Sequence, residues 1–82
     1  MAKKRILLIE DEAELIKAIK IRLEAAGFEA ISATNGEEGL EMARKEKPDL
    51  IILDLILPNM SGFDVCRKLK IDKEYKDIPI IV

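Results

Sequence analysis

Three acidic residues stand out by where they fall. Glu10 and Asp11 directly follow the apolar run Ile6, Leu7, Leu8, Ile9, and Asp54 directly follows Leu50, Ile51, Ile52, Leu53. Carboxylates in such places can bind a hard cation through oxygen or attack phosphorus as nucleophiles. Gathered together they repel: a pair about 4 Å apart costs on the order of 4 kcal/mol at an effective dielectric near 20. Protonation or a divalent cation must offset that. An oxygen-only donor set on a shallow rim suits Mg²⁺, which keeps several waters and takes only one or two carboxylates. A carboxylate beside such a cation can accept a phosphoryl group, because that transfer asks for little beyond in-line placement and charge neutralisation. A purely structural reading stands beside this one. Asp11 can serve as a helix cap, and Asp54 can simply open a turn.

For the three side chains to meet, the two apolar runs must be neighbouring strands. Leu50 to Leu53 is too short a run for a helix and apolar enough for a strand buried on both faces. Pro58 forbids a continuing ladder or helix, and Gly62 permits a sharp turn. Strands are expected over residues 4–10, 28–33, 49–54 and 78–82, the second less apolar and so an edge. Helix 1 is expected over residues 12–26, capped by Asp11 and stopped by Gly27. Its apolar stripe is Leu15, Ile16, Ile19, Leu23 and Ala26. Helix 2, capped by Asn35 or Thr34, carries Leu40 and Ala43, and Pro48 closes it. Gly39 inside it costs about 1 kcal/mol against alanine. Helix 3 follows Gly62 and carries Val65, Cys66 and Leu69.

Alternating strands and helices call for a parallel sheet with right-handed crossovers. The fold class is therefore α/β, a parallel sheet in the order βαβαβαβ; the three acids converge only if strands 1 and 3 are neighbours, as they are in a flavodoxin-like three-layer sheet with strand order 2-1-3-4. In that order strands 1 and 3 are adjacent. The gap between their C-terminal ends is the topological switch point, where ligands bind.

The 82 residues make one domain, and an apolar share of 49% is enough for a core. A net charge of −2, from 14 basic and 16 acidic residues, offers no basic face for nucleic acid. Lys3, Lys4 and Arg5 read as a solvated entry to the first strand. The chain has no histidine, which excludes a His triad, a His base or a His-ligated metal within it. One cysteine excludes an internal disulfide, and the position of Cys66 between Val65 and Leu69 suits a buried structural thiol. No apolar stretch reaches the roughly 18–20 residues of a membrane span, and no signal peptide is visible. A reduced, cytoplasmic setting is expected.

Together these residues resemble the receiver domain of two-component response regulators. The resemblance is carried by Glu10-Asp11 after the first apolar run, Gly27-Phe28, Asn35-Gly36-Glu37-Glu38-Gly39-Leu40, and Pro48-Asp49 leading to Asp54. Pro58, Gly62 and Ile78-Pro79-Ile80-Ile81-Val82 complete it. It covers residues 1–82, as the first two-thirds of such a domain. A receiver is itself a standard example of the flavodoxin-like strand order, so that order is not an independent expectation.

The resemblance implies roles at matching positions. Asp54 would accept a phosphoryl group from a phosphohistidine of a sensor histidine kinase. Asp11 would bind Mg²⁺ directly, and Glu10 through water, where the family more often has Asp. The backbone carbonyl of Ile56 would be a further metal ligand, and Pro58 and Gly62 would shape its loop. An enzyme is not expected: phosphatases with an aspartyl nucleophile usually place a second Asp two residues on, where this chain has Ile56. Receivers normally continue into a Ser or Thr, a fourth helix, a fifth strand ending in Lys, and a fifth helix. The sequence reads as cut before these, with switching impaired. The fifth helix would cover the sheet face that helix 1 covers, so apolar surface is expected to be open there. A homo-oligomer through the strand 4 edge and the helix 1 face follows. The alternative is a receiver-derived fragment that acts only as a structural or self-assembling piece.

Overall fold

Strands and helices alternate without exception in the computed structural model, which describes residues 3–82. The order is β1 (Arg5–Ile9), α1 (Ala13–Ala25), β2 (Glu29–Ala33), α2 (Gly36–Glu46), β3 (Leu50–Leu53), α3 (Gly62–Ile71) and β4 (Ile80–Ile81). All strand pairs are parallel, as the alternation requires, and the sheet order is β2-β1-β3-β4. No helix among the described residues is long and apolar enough to cross a membrane.

Successive strand side chains point to opposite faces. Leu7, Ile9, Ala33, Ile51 and Leu53 meet Leu40 and Ala43 of α2 and Val65 and Leu69 of α3 in one buried cluster. Ile6, Leu8 and Ala30 alternate to the other face, beneath α1, and are buried as well. The two faces are closed unequally. No residue of α1 is buried, and Leu15 and Ile21 stay 42% and 58% exposed. Leu50 and Ile52 are only half-buried, which corrects the expectation of a third strand covered on both sides. The physical reason is coverage: two helices close one face, and a single helix spans only part of the other. The remainder is a groove of about 430 Å³, lined by Leu8, Leu15, Ile19, Ile52, Ile56 and Val82 and, beside them, Glu10 and Asp54.

The helix ends follow local chemistry. Gly27 (φ 95°) closes α1, with its N–H donating to the Glu24 carbonyl and that of Phe28 to the Leu23 carbonyl, both at 3.0 Å. Asn35, rather than Thr34, caps α2: its Oδ1 accepts the Glu38 N–H at 2.9 Å. The Glu38 carboxylate reaches back to the N–H of Thr34, the residue before the cap, at 2.6 Å. Asn35→Ala is expected to cost about 1 kcal/mol. That corresponds to a melting temperature lower by roughly 4–8 °C in a domain of this size, read by circular dichroism. An unchanged midpoint would mean the cap contributes nothing.

Three expectations change in the folded chain. Gly39 is not merely a weak point of α2. It is buried against β1, where a Cβ would sit 2.5 Å from Ile9 Cδ1, so the small residue permits the helix to lie close to the sheet. Cys66 is half-buried at the margin of the core rather than inside it. Strand 4 is two residues, not five, because Pro79 has no N–H for the ladder and serves only as acceptor, from the Ile51 N–H at 3.0 Å. The charged segment before it, residues 72–77, is packed onto the rest of the domain. Tyr75 is buried there, its hydroxyl donating to the Arg44 carbonyl at 3.4 Å. Lys70 Nζ donates to the carbonyls of Lys76 and Ile78 at 3.1 and 3.2 Å, holding the turn that leads into β4.

Candidate functional site

β1 and β3 are paired in register, Ile6 with Leu50 through Ile9 with Leu53. The ladder runs one step further, with the Asp54 N–H donating to the Ile9 carbonyl at 3.0 Å. Glu10 and Asp54 therefore leave two adjacent strands at the same level. Period-two alternation continues the line of Leu8 into Glu10 and of Ile52 into Asp54, on the sheet face that α1 covers. Glu10, Asp11 and Asp54 each place a carboxylate oxygen within 4.8 Å of the other two. Glu10 is buried, Asp54 half-buried and Asp11 exposed. The three acids singled out in the sequence thus form one cluster.

Asp11 does not cap α1, contrary to expectation. The N-cap is Glu12, whose side chain makes no capping bond. Glu10 supplies the acceptor: its Oε2 takes the N–H of Asp11 and of Glu12, both at 3.1 Å. A buried carboxylate needs donors, and the two amides that follow it in the chain are the nearest. Asp11 is left with its carboxylate turned toward the cluster. Asp54 is oriented by its own loop, its Oδ1 accepting the Ile56 N–H at 3.0 Å in an Asx-type turn. That bond holds the Ile56 main chain against the Asp54 carboxylate, while the Ile56 side chain is 83% exposed.

Burial is the main reason the Glu10 carboxyl titrates above the usual range, and the charges of Asp54 and Asp11 push it the same way. The amide bond from Glu12 opposes them. The folded state therefore holds this proton more tightly than the unfolded chain, so ionising Glu10 opposes folding. Stability of the metal-free protein is expected to rise as the pH falls from neutral through the raised value toward the ordinary value near 4.5. Glu10→Gln keeps an acceptor for both amides and removes the charge. It should raise the neutral-pH melting temperature and flatten this part of the pH profile. An identical slope in the variant would remove Glu10 as the cause.

Three oxygen donors, with no nitrogen or sulfur among them, match a hard divalent cation. A cation here would relieve the same repulsion that a proton on Glu10 relieves. The donor set therefore fits Mg²⁺. Reading the sequence missed the cap of α3, Ser61, whose Oγ accepts the Asp64 N–H at 3.2 Å. Its signal was present as Ser-x-x-Asp ahead of an apolar run.

A parallel 2-1-3-4 sheet with carboxylates at the adjacent ends of strands 1 and 3 defines a flavodoxin-like domain with an acidic switch-point site. The family model described as the response regulator receiver domain matches residues 6–82, and the chain belongs to that family. It is 43% identical over 82 residues to the probable transcriptional regulator ycf27 of Porphyridium aerugineum, covering 100% of this chain and 33% of that one. The chain thus spans about a third of the length of this curated relative. The N-terminal domain of a response regulator receiver protein from Methanoculleus marisnigri superposes with a TM-score of 0.92 at 32% identity, over 96% of this chain and 64% of that one. Response regulator TrrA of Thermotoga maritima, solved in complex with Mg²⁺-BeF, gives 0.89 at 38% identity, over 96% and 67%.

Proposed function

We propose that this chain is a phosphoacceptor module of a two-component relay, taking a phosphoryl group onto Asp54 from a phosphohistidine of a sensor histidine kinase. The single observation that supports this most is the in-register departure of Glu10 and Asp54 from neighbouring strands, which gathers three carboxylates at one rim. Asp11, Asp54 and the Ile56 carbonyl would hold Mg²⁺, with Glu10 acting through water. Bound there, Mg²⁺ supplies neutralisation of charge on the phosphoryl oxygens. The protein supplies position. The Ile56 N–H fixes Oδ1 of Asp54 and leaves Oδ2 to form the bond to phosphorus. The bond from phosphorus to the donor imidazole breaks, its electron pair stays on nitrogen, and that nitrogen takes a proton from solvent. The product is an acyl phosphate on Asp54. The chain acts as acceptor rather than enzyme, since Ile56 stands where an acid for further turnover would be. The TrrA relative, solved with Mg²⁺-BeF, agrees with this reading. It covers acceptance and not output.

The test is intact-mass spectrometry after exposure to a small-molecule phosphodonor and Mg²⁺. One added phosphoryl group, labile to acid and base, is expected. No added mass overturns the proposal. Mg²⁺ alone should stabilise the fold by about 2.7 kcal/mol at a hundredfold excess over Kd, and a melting temperature indifferent to millimolar Mg²⁺ would mean that no cation site is assembled.

A second reading concerns assembly, and a specific observation favours it. α1 buries none of its residues, and Ile81 and Val82 remain 54% and 69% exposed beside the open groove. We propose that the 82-residue chain self-associates through the α1 face and the β4 edge, whose uncharged residues offer unpaired backbone groups. In the strongest form of this reading the chain is an assembling piece that binds Mg²⁺ without accepting phosphate. Light scattering at two concentrations tests the association. A sharp monomer mass with cooperative melting overturns it.

A further inference from the structure

We propose that Asn35-Gly36 is a site of spontaneous covalent modification, held closed by the first turn of α2 and open whenever that turn frays. The chemistry is intramolecular. The Gly36 main-chain nitrogen loses its proton to solvent base and attacks Cγ of Asn35. A C–N bond forms, and the side-chain nitrogen departs with the electron pair of its own bond to Cγ, takes a proton from water and leaves as ammonia. Water then opens the cyclic imide at either carbonyl, which gives aspartate or isoaspartate at position 35. The inference does not depend on the reading of Asp54. The chain has two asparagines and no glutamine. Asn59 precedes Met60, whose side chain hinders such an attack, whereas Asn35 precedes a glycine. Gly36 is the first residue of α2, so no carbonyl of the helix accepts its N–H and the attacking nitrogen is not tied into the ladder.

The fold closes this route. Ring formation needs Cβ of Asn35 and the Gly36 nitrogen eclipsed about the Cα–C bond, and at ψ 171° the two are staggered. The side chain is held as well, its Oδ1 accepting the Glu38 N–H at 2.9 Å. The Glu38 carboxylate braces the residue before, taking the Thr34 N–H at 2.6 Å and the Thr34 hydroxyl at 3.3 Å. The two products are not equivalent. Aspartate caps a helix as well as asparagine does, and its charge suits the positive end of the helix dipole. Isoaspartate routes the main chain through the side chain. It exchanges the two carbonyls that start α2, the one that accepts the Glu38 N–H and the one that accepts the Gly39 N–H at 2.9 Å. It also adds a main-chain atom before Gly36, which is buried with little room to move. A Cβ there would lie 2.8 Å from Val65 Cγ2 and 3.0 Å from Met60 Cβ. Native packing thus admits one product and rejects the other, and water does not restore the asparagine.

The experiment incubates the purified chain at mildly alkaline pH, folded and in guanidinium chloride. Conversion is followed by intact mass, as replacement of NH by O, and placed by peptide mapping. At Asn35 it should run roughly tenfold or more faster in denaturant, because the folded rate is the open rate scaled by the fraction of time the turn is open. Equal rates, or conversion confined to Asn59, overturn the proposal. Glu38→Ala keeps the dipeptide and removes the brace on Thr34. It should speed conversion several-fold in the folded chain and leave the rate in denaturant unchanged. An unchanged folded rate overturns the first turn of α2 as the gate. Should that variant not fold, hydrogen exchange of the Glu38 amide in the parent takes its place. The open fraction it reports should match the ratio of folded to denatured rates, and a mismatch of tenfold or more overturns the proposal. The two products are then separated by chromatography and refolded. The aspartate form should melt close to the parent and the isoaspartate form well below it. A native melting temperature for the isoaspartate form, or an equal loss in both forms, overturns the claim that packing discriminates between them.

Discussion

Asp54→Asn is expected to abolish phosphoryl acceptance and, in the same protein without metal, to raise the melting temperature. The two effects have one origin. Asparagine keeps an oxygen to accept the Ile56 N–H, so the Asx-type turn at the end of β3 can persist. It removes the nucleophilic oxygen, and no neighbouring group replaces it. Glu10 is buried and Asp11 belongs to the segment between β1 and α1, so neither is presented by the β3 loop. The added mass after phosphodonor treatment should therefore fall to background. Asparagine also removes one charge from a cluster whose oxygens lie within 4.8 Å. Because Asp54 is half exposed, the relief belongs near the water-like end of the range, roughly 1 kcal/mol, or about 4–8 °C in melting temperature. Residual phosphorylation of Asp54→Asn would place the acceptor elsewhere. A lowered metal-free melting temperature would show that the carboxylates are not repelling.

Leu7→Ala is expected to cost about 2–5 kcal/mol, the range for a fully buried leucine whose cavity cannot collapse. Leu7 has no exposed surface, and it lies in the cluster that α2 and α3 close. Domains of this size have only a few kcal/mol of net stability, so the variant should be largely unfolded at room temperature and recover in part with Mg²⁺. The contrasting variant is Leu15→Ala. Leu15 is 42% exposed on α1 beside the open groove, and its loss should cost under about 1 kcal/mol. Urea titration with circular dichroism separates the two. Equal midpoints would contradict the unequal closure of the sheet faces.

Much of this molecule was legible before folding. Alternation of short apolar runs with helical stripes required a parallel α/β sheet, and the observed β2-β1-β3-β4 order agrees. The acids were legible because strands are short and stop where polarity begins, so Glu10, Asp11 and Asp54 had to fall at strand ends. Gly27 and Asn35 were legible because left-handed closure and side-chain capping are decided within a few residues. These are local constraints, and local constraints are written in order along the chain.

What only the tertiary structure decided depends on who stands opposite whom. Asp11 looked like a cap until the buried carboxylate of Glu10 was seen to take the amides of Asp11 and Glu12. The third strand looked doubly buried because its composition is uniformly apolar, yet its coverage depends on how many helices reach each face. Tyr75 sat in a charged segment with nothing nearby in sequence to mark it as buried, because its partner, the Arg44 carbonyl, lies 31 residues away. Gly39 and Gly62 read as a weakness and a turn. Ile9 above one and the Asp54 main chain against the other make them close-packing positions. A glycine's need for space, like a carboxylate's neighbour, is a property of the packed interior, and no window of sequence contains it.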